Sequence, residues 1–368
     1  MIWTRRNLLL GLAASALPLA PRRTVAFHYE AVFAPDAVEW YTRFDTLVTG
    51  AVLAPAQTEK LRRKTAKLVA YEWSSGFYPG DSSSVDPGWE ATLRRNAQAW
   101  LISPDPVGGA AAAAGRTALW YDFGDAGLIA ARAGYLAEVL RRSSYDGFFF
   151  DTPGFEQVPE PMRATFEKRH PGVDYNQVQG AFFGALRRRI GASKIIFLNQ
   201  GYRHAGHMLP HADLDLTESY FTALDGAGTR FRKWHDPALP WEAIRTPMEQ
   251  LVAPAAAKFP RVRFVHANYA GGGAATAHRA ARFAWACAKL WNHESYLMAP
   301  GVWANERDGI YFTETGAPTS SGYQESGAVA WRAFEKGVVA VNTGTAPAKI
   351  PELGLTLSEP QQGYFFSR

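Results

Sequence analysis

Residues 145–155 read Tyr-Asp-Gly-Phe-Phe-Phe-Asp-Thr-Pro-Gly-Phe. Three phenylalanines run directly into Asp151, and Pro153 and Gly154 then end the run. A short, wholly apolar run bounded by turn residues predicts a strand buried on both faces, as in a parallel sheet. The acid at its carboxyl end is either a loop cap or part of an active site, and the rest of the chain decides between them.

From Thr24 onward, short apolar runs alternate with amphipathic stretches. The strand candidates are 25–29, 46–49, 67–73, 147–151, 195–199, 214–220, 262–268 and 295–299. Between them lie helical patterns. Residues 126–142 place Leu128, Ile129, Leu136, Val139 and Leu140 along one stripe, with Arg132 a polar exception inside it; 175–190 and 276–291 are similar. Eight strands alternating with helices predict an α/β (β/α)8 TIM barrel with a parallel sheet, a doubly wound sheet being the alternative. A ninth run, 118–123, reads as a short strand inside the long connection after Trp73. Past Asn305 the helical patterns thin out and short strands are expected at 309–313, 337–342 and 363–366, separated by Gly316, Gly322, Gly344 and Pro347. The expected organisation is therefore an export signal over 1–21, a barrel over 22–304 and a small C-terminal antiparallel β domain over 305–368. The alanine/glycine run 108–115 reads as a loop.

The N-terminus carries Arg5-Arg6 ahead of a short apolar stretch that ends in small residues, the pattern of a twin-arginine export signal. A periplasmic or secreted protein is expected, with no membrane insertion once the signal is removed, because no other segment has about 18 consecutive apolar residues. The formal charge is +5, and losing Arg5 and Arg6 leaves +3. No Lys/Arg block is long enough for a nucleic-acid footprint, and Arg187-Arg188-Arg189 reads as the solvated end of a helix. The single cysteine, Cys287, excludes an intramolecular disulfide and lies in an apolar helical run. No phosphate-binding glycine loop follows a strand and no Gly-x-Ser-x-Gly elbow occurs, so no cofactor and no serine nucleophile are expected.

In a barrel, chemistry gathers at the carboxyl ends of the strands. Those ends carry His28-Tyr29-Glu30, Tyr71-Glu72-Trp73, Trp120-Tyr121-Asp122, Asp151, Asn199-Gln200, Glu218-Ser219-Tyr220, His266-Ala267-Asn268-Tyr269 and Met298-Ala299-Pro300-Gly301, with Trp303 just beyond. Two carboxylates with aromatic walls are the equipment of glycoside hydrolysis: one acid protonates the departing oxygen while the other attacks or stabilises the sugar. Asp151 and Glu218 form the candidate catalytic pair, with Glu30, Glu72 and Asp122 as competitors. His28, Tyr29, Glu72, Trp73, Asp122, Asn199, Tyr220, His266, Asn268 and Trp303 are the candidate sugar-binding residues, and Tyr220 is the neighbour expected to raise the pKa of Glu218. The partner is then a polysaccharide or oligosaccharide. A barrel that binds glycan without cutting it is the alternative. A third reading makes His204, His207 and His211 metal ligands of a hydrolase, although Gly206 and Pro210 interrupt the helix that would align them, and no metal is expected.

The segment Tyr145-Asp-Gly-Phe-Phe-Phe-Asp151 resembles the aromatic-Asp-Gly-(three hydrophobics)-Asp signature of a group of glycoside hydrolases related to α-galactosidases, among them the endo-α-1,4-polygalactosaminidases. Trp120-Tyr-Asp122, Asn199 and Glu218 follow the same order, and Arg332–Asn342 is similar to a segment of the β domains appended to such barrels. The resemblance implies a (β/α)8 barrel working with retention, in which Asp151 is the nucleophile and Glu218 the acid/base, about 5 Å apart.

Overall fold

The computed structural model describes residues 24–29, 35–50, 55–62, 67–79, 87–103, 105, 107–108, 117–151, 153–222, 241–270, 273–299 and 303–367. The expected export signal, Glu30, Thr152, most of the alanine/glycine run and Pro300-Gly301 lie outside them.

Eight strands form one parallel sheet in sequence order: β1 (Val25–His28), β2 (Thr46–Thr49), β3 (Lys67–Trp73), β4 (Gly147–Asp151), β5 (Ile195–Asn199), β6 (Leu214–Glu218), β7 (Arg263–Tyr269) and β8 (Glu294–Met298). β8 lies back against β1, so the sheet curls into a nearly closed barrel with helices outside it. This is the expected (β/α)8 architecture. The ninth run is also where expected, as a short strand, Thr117–Trp120, that pairs antiparallel with Gly76–Phe77 in a small sheet inserted after β3.

The Phe-Phe-Phe run explains how β4 sits in this wall. Phe148 and Phe150 face the helices, Phe150 meeting Phe182 and Phe183 at 6.0 and 5.1 Å between ring centroids. Phe149 faces inward, edge-on to Phe27 of β1 (5.8 Å) and Phe197 of β5 (5.0 Å). Each fully buried phenylalanine contributes about 1.5–3 kcal/mol of burial energy, so both faces of the strand are committed. The preceding residues are fitted as tightly. Asp146 accepts from the Leu68 amide (2.9 Å) and pairs with Arg62, and a Cβ on Gly147 would lie 2.1 Å from the Ile195 carbonyl oxygen. Only glycine lets β5 approach this closely.

Two long helices lie where their periodicity puts them. Ala126–Arg142 is capped by Asp125, which accepts from the Leu128 amide (2.9 Å); Tyr175–Ile190 is capped by Asp174 and ends at Gly191, with φ +72°. Arg132, the exception in the first helix's stripe, is buried because it pairs with Glu72 of β3.

The C-terminal region is an antiparallel sheet of four strands, Gln324–Ser326, Val329–Phe334, Gly337–Asn342 and Gln362–Ser367, with a separate hairpin of Ala348–Ile350 and Leu355–Leu357. Phe334, Val339 and Val341 join the barrel's core, while Trp331, Val338 and Ala340 pack on the sheet's other face. One expected strand is absent: 309–313 is instead a single 3-10 turn, Gly309–Phe312. Asp308 caps that turn by accepting from the Ile310 amide (2.9 Å), and Phe312 packs on Trp40 and Phe44, so the apolar run is spent on packing rather than on strand pairing. Among the described residues no helix is long and apolar enough to cross a membrane.

Candidate active site

Strand register decides which side chains reach the barrel's interior. Paired residues on neighbouring parallel strands point the same way, so the inward row through Phe149 can be followed around the wall. Phe149 pairs with Tyr71 and Phe197, Asp151 with Trp73, Asn199 with Leu216, and Glu218 with Ala267. Trp73, Asp151, Asn199 and Glu218 are therefore neighbours at the carboxyl end of the barrel, all facing in.

There the Asn199 side chain joins the two carboxylates. Its Nδ2 donates to Asp151 Oδ1 at 2.7 Å and to Glu218 Oε2 at 3.0 Å. The chemistry fixes the amide's orientation, since its carbonyl oxygen turned toward two carboxylates would meet only acceptors. The two accepting oxygens are at most 5.7 Å apart, the sum of those distances. With the amide's two N–H bonds diverging by about 120°, they stand about 5 Å apart. The other oxygens have phenol donors: Tyr71 to Asp151 Oδ2 (2.7 Å) and Tyr269 to Glu218 Oε1 (2.6 Å).

The backbone after each strand is built to hold these aims. Gln200 and Ser219, immediately after Asn199 and Glu218, have φ of 63° and 61°, an uncommon conformation for residues with a Cβ and a frequent feature of functional sites. Asp215, on the outward face of β6, accepts from the Gly201 and Tyr202 amides at 2.8 and 2.9 Å and so clamps the turn that follows Asn199. Burial raises its carboxyl well above the usual range, against the lowering pull of those amides.

Tyrosines surround the pair. Tyr29 follows β1 on the same face as Phe27, and a Cβ on Gly50 would come within 2.5 Å of its Cα, so glycine admits the close approach that places it. The residue as a whole is 39% exposed, while its phenol lies in the interior and is raised well above its ordinary value, first by burial and then by the charges of Glu218 and Asp151. Tyr71 and Tyr269 are raised in the same way, by burial first and then by Asp151 and Glu218 respectively. All three phenols are neutral near neutral pH. Beside Asp151, Trp73 stacks on Tyr78 (4.5 Å, 16°) and stands edge-on to Trp120 (4.8 Å), giving the mouth one aromatic wall.

Five expected site residues, Glu72, Asp122, His28, His266 and Asn268, face elsewhere, and each is a correction. Glu72 sits between the inward Tyr71 and Trp73 and so points outward, where it pairs with Arg132 behind the barrel wall. Asp122 is fully buried, accepts from Arg169 (2.6 Å) and the Gly124 amide (3.1 Å) and lies 2.8 Å from His170 Nε2, which makes it an anchor of the loop. His28 lies outward against Tyr41, its ring 4.8 Å away. His266 and Asn268 have the outward parity of β7: His266 contacts Thr217 and His293, and Asn268 holds Ser295 (3.1 Å) and the Phe221 amide (3.3 Å). Tyr220 bonds to Tyr202 between the loops after β5 and β6, and the phenol on Glu218 is that of Tyr269. Trp303 lies under the Arg307 guanidinium at 4.2 Å. Tyr71 and Tyr269, which hold the two carboxylates, were not among the expected site residues. Tyr71 was findable by parity with Trp73, whereas Tyr269 required β7 to extend one residue past its expected end.

The three spaced histidines take separate partners: His204 pairs with Glu156 (2.8 Å), His207 with Asp174 (3.6 Å), and His211 lies beside Gly184, its pKa lowered by burial first and then by the Arg187 and Arg188 charges. Among the described residues no group of three or more His, Cys, Asp or Glu side chains converges to hold a metal ion.

Solved structures of glycoside hydrolases share this fold. The chain is similar to the glycoside hydrolase domain of PelA from Pseudomonas aeruginosa, with a TM-score of 0.54 and 20% identity over 76% of this chain and 95% of that one. It is also similar to the maltogenic α-amylase AmyB from Thermotoga neapolitana (0.53, 10%, covering 89% and 87%) and to the ligand-free cyclic α-maltosyl-(1→6)-maltose hydrolase from Arthrobacter globiformis (0.53, 12%, 96% and 95%). The likeness is one of fold. No family model and no curated protein matches the chain.

Proposed function

We propose that this chain is an exported glycoside hydrolase that cleaves a polysaccharide with retention of configuration, Asp151 acting as nucleophile and Glu218 as acid/base. The observation that carries the reading is the carboxylate pair bridged by Asn199, whose facing oxygens are within 5.7 Å. Retaining enzymes hold their carboxyl groups about 5–5.5 Å apart, and inverting ones leave room for a water at about 6.5–9.5 Å. The role of each acid follows the resemblance of Tyr145–Asp151 to the α-galactosidase-related group. The fold shared with a glycoside hydrolase domain, a maltogenic α-amylase and a cyclic maltosyl-maltose hydrolase supports a glycan substrate. Arg5-Arg6 ahead of an apolar stretch supports export.

In this mechanism the bond from the anomeric carbon to the departing oxygen breaks as Glu218 gives its proton to that oxygen, and an Asp151 oxygen bonds to the anomeric carbon. Water then attacks that carbon, losing a proton to Glu218, and the bond to Asp151 breaks. The stacked Trp73 and Tyr78 rings beside Asp151 supply an aromatic wall for a sugar, in the manner of aromatic recognition surfaces.

The test is hydrolysis of a panel of bacterial exopolysaccharides and galactosaminide oligomers by wild type, Asp151→Asn and Glu218→Gln. Turnover lowered by about a hundredfold or more in both variants, with the product's first-formed anomer matching the substrate, is expected. Glycan binding without any cutting by wild type establishes a binding barrel instead. Full activity in either variant removes that residue from the mechanism.

A further inference from the structure

The three phenols around Asp151 and Glu218 differ in what they bond. Tyr71 donates to Asp151 at 2.7 Å and Tyr269 to Glu218 at 2.6 Å. Tyr29 has no hydrogen-bond partner among the described residues, although the charges of Glu218 and Asp151 both act on its hydroxyl. Its place is nevertheless fixed. The ring stands edge-on to Tyr71 at 5.9 Å between centroids and tilted to Phe149 at 6.5 Å, and Gly50 lets the neighbouring backbone close against its Cα. Tyr29 is also the most exposed aromatic residue among those described, at 39%, and it follows the carboxyl end of β1. β1 lies across the barrel from β5, which carries Asn199: Phe27, two residues before Tyr29, meets Phe197 of β5 at 5.8 Å. The acids and Tyr29 therefore close on the mouth from opposite walls. A hydroxyl without a partner contributes nothing to the fold. Of the three phenols, Tyr29 alone still has its O–H to donate.

Resting on the roles proposed above, we infer that Tyr29 is a substrate-binding residue whose hydroxyl bonds a hydroxyl group of the sugar seated between the two acids. The chemistry of the mouth selects that partner. A phenol both donates and accepts, and so does a sugar hydroxyl, so the two satisfy each other in either direction. A cation offers no acceptor to the phenol's O–H, and an anion meets the charge of the carboxylates. Tyr71 and Tyr269 hold the acids, and Tyr29 holds the sugar against them from the far wall.

Tyr29→Phe in the full chain removes the hydroxyl and keeps the ring. Because that hydroxyl has no partner in the protein, the urea midpoint is expected to stay at the wild-type value or rise. A lowered midpoint shows that the hydroxyl serves the fold and overturns the inference. On whichever panel substrate wild type hydrolyses, kcat/KM is expected to fall about tenfold, the worth of one hydrogen bond. A fall of less than about threefold overturns the inference and leaves the hydrolase reading standing. Deoxy analogues of that substrate, each lacking one hydroxyl, identify the partner. On one of them wild type and Tyr29→Phe are expected to be equal, because the contact is already gone. A gap that persists on every analogue overturns the assignment to a sugar hydroxyl. If wild type binds a panel glycan and never cuts it, the hydrolase reading fails and calorimetric binding decides the inference. Affinity lower by about tenfold in Tyr29→Phe then supports it, and equal affinity overturns it. Wild type that neither cuts nor binds any glycan overturns both.

Discussion

Glu72 and Arg132 form an ion pair with both side chains about 95% buried, inside a box of aromatic rings: the guanidinium lies 4.7 Å from the Trp89 ring and 5.6 Å from those of Tyr121 and Tyr135. Arg132→Met removes the cation and leaves the carboxylate buried, with one of its oxygens already lacking a partner. Breaking such a pair costs about 3–5 kcal/mol, because a charge is stranded away from water, whereas replacing both partners by apolar groups is often neutral. Arg132→Met is therefore expected to lose that much stability at pH 8, and Glu72→Leu/Arg132→Met to stay within about 1 kcal/mol of wild type. The pH dependence follows the same logic. Burial already raises the Glu72 pKa against the pull of Arg132, and without Arg132 it rises further. A carboxyl whose folded pKa lies above its unfolded value loses stability as pH rises from the unfolded pKa to the folded one. The Arg132→Met deficit is thus smallest near pH 4 and complete above the raised pKa. Urea unfolding followed by tryptophan fluorescence measures it, with Trp89 as a local reporter. A loss below about 1 kcal/mol at pH 8, or a deficit that does not shrink toward pH 4, refutes the stranded-charge account. Because Glu72 faces away from the mouth, the double variant is expected to keep the glycan turnover proposed above at the wild-type level.

Gly147→Ala forces a methyl group against the Ile195 carbonyl and pushes β4 from β5, so a loss of about 1–3 kcal/mol in urea unfolding is expected; an unchanged midpoint refutes the close fit. His266 and His293 are bonded to each other at 3.0 Å, and burial holds both neutral, lowering His293 to about 3 and His266 well below its usual value. A depressed histidine keeps its stability above the unfolded pKa near 6.5 and loses it as pH falls toward the folded value. Unfolding free energy is therefore expected to fall by about 1.4 kcal/mol per pH unit for each imidazole below that point. His293→Phe removes the His293 share of the slope, and a slope unaltered by that change contradicts the prediction.

The barrel was legible in the sequence because its strands and helices are local. Gly147–Asp151, Lys67–Trp73 and Ile195–Asn199 are apolar runs with turn residues at their ends, and the helices 126–142 and 175–190 carry their own stripes and caps. The carboxyl-end positions of Asp151 and Glu218 could be read for the same reason. Gly309–Phe312 could not, since an apolar run of four serves a strand or a packed turn equally well, and only Asp308 and the Trp40–Phe44 surface decide between them.

What tertiary structure alone decided is which way each strand-end residue faces. In a parallel barrel both faces of every strand are buried, so Phe148, Phe149 and Phe150 look alike in sequence although Phe149 fills the interior and the other two point outward, Phe150 onto a helix. Glu72, His28, His266 and Asn268 were drawn to the site by their position at strand ends and removed from it by parity. Tyr71 and Tyr269 were added by the register of neighbouring strands. The sequence by itself determined the order of elements and where its acids stand along them. The sharing of two carboxylates by one asparagine depends on strands β4, β5 and β6 meeting side by side, and no local pattern records that, because the residues lie 48 and 19 positions apart in the chain.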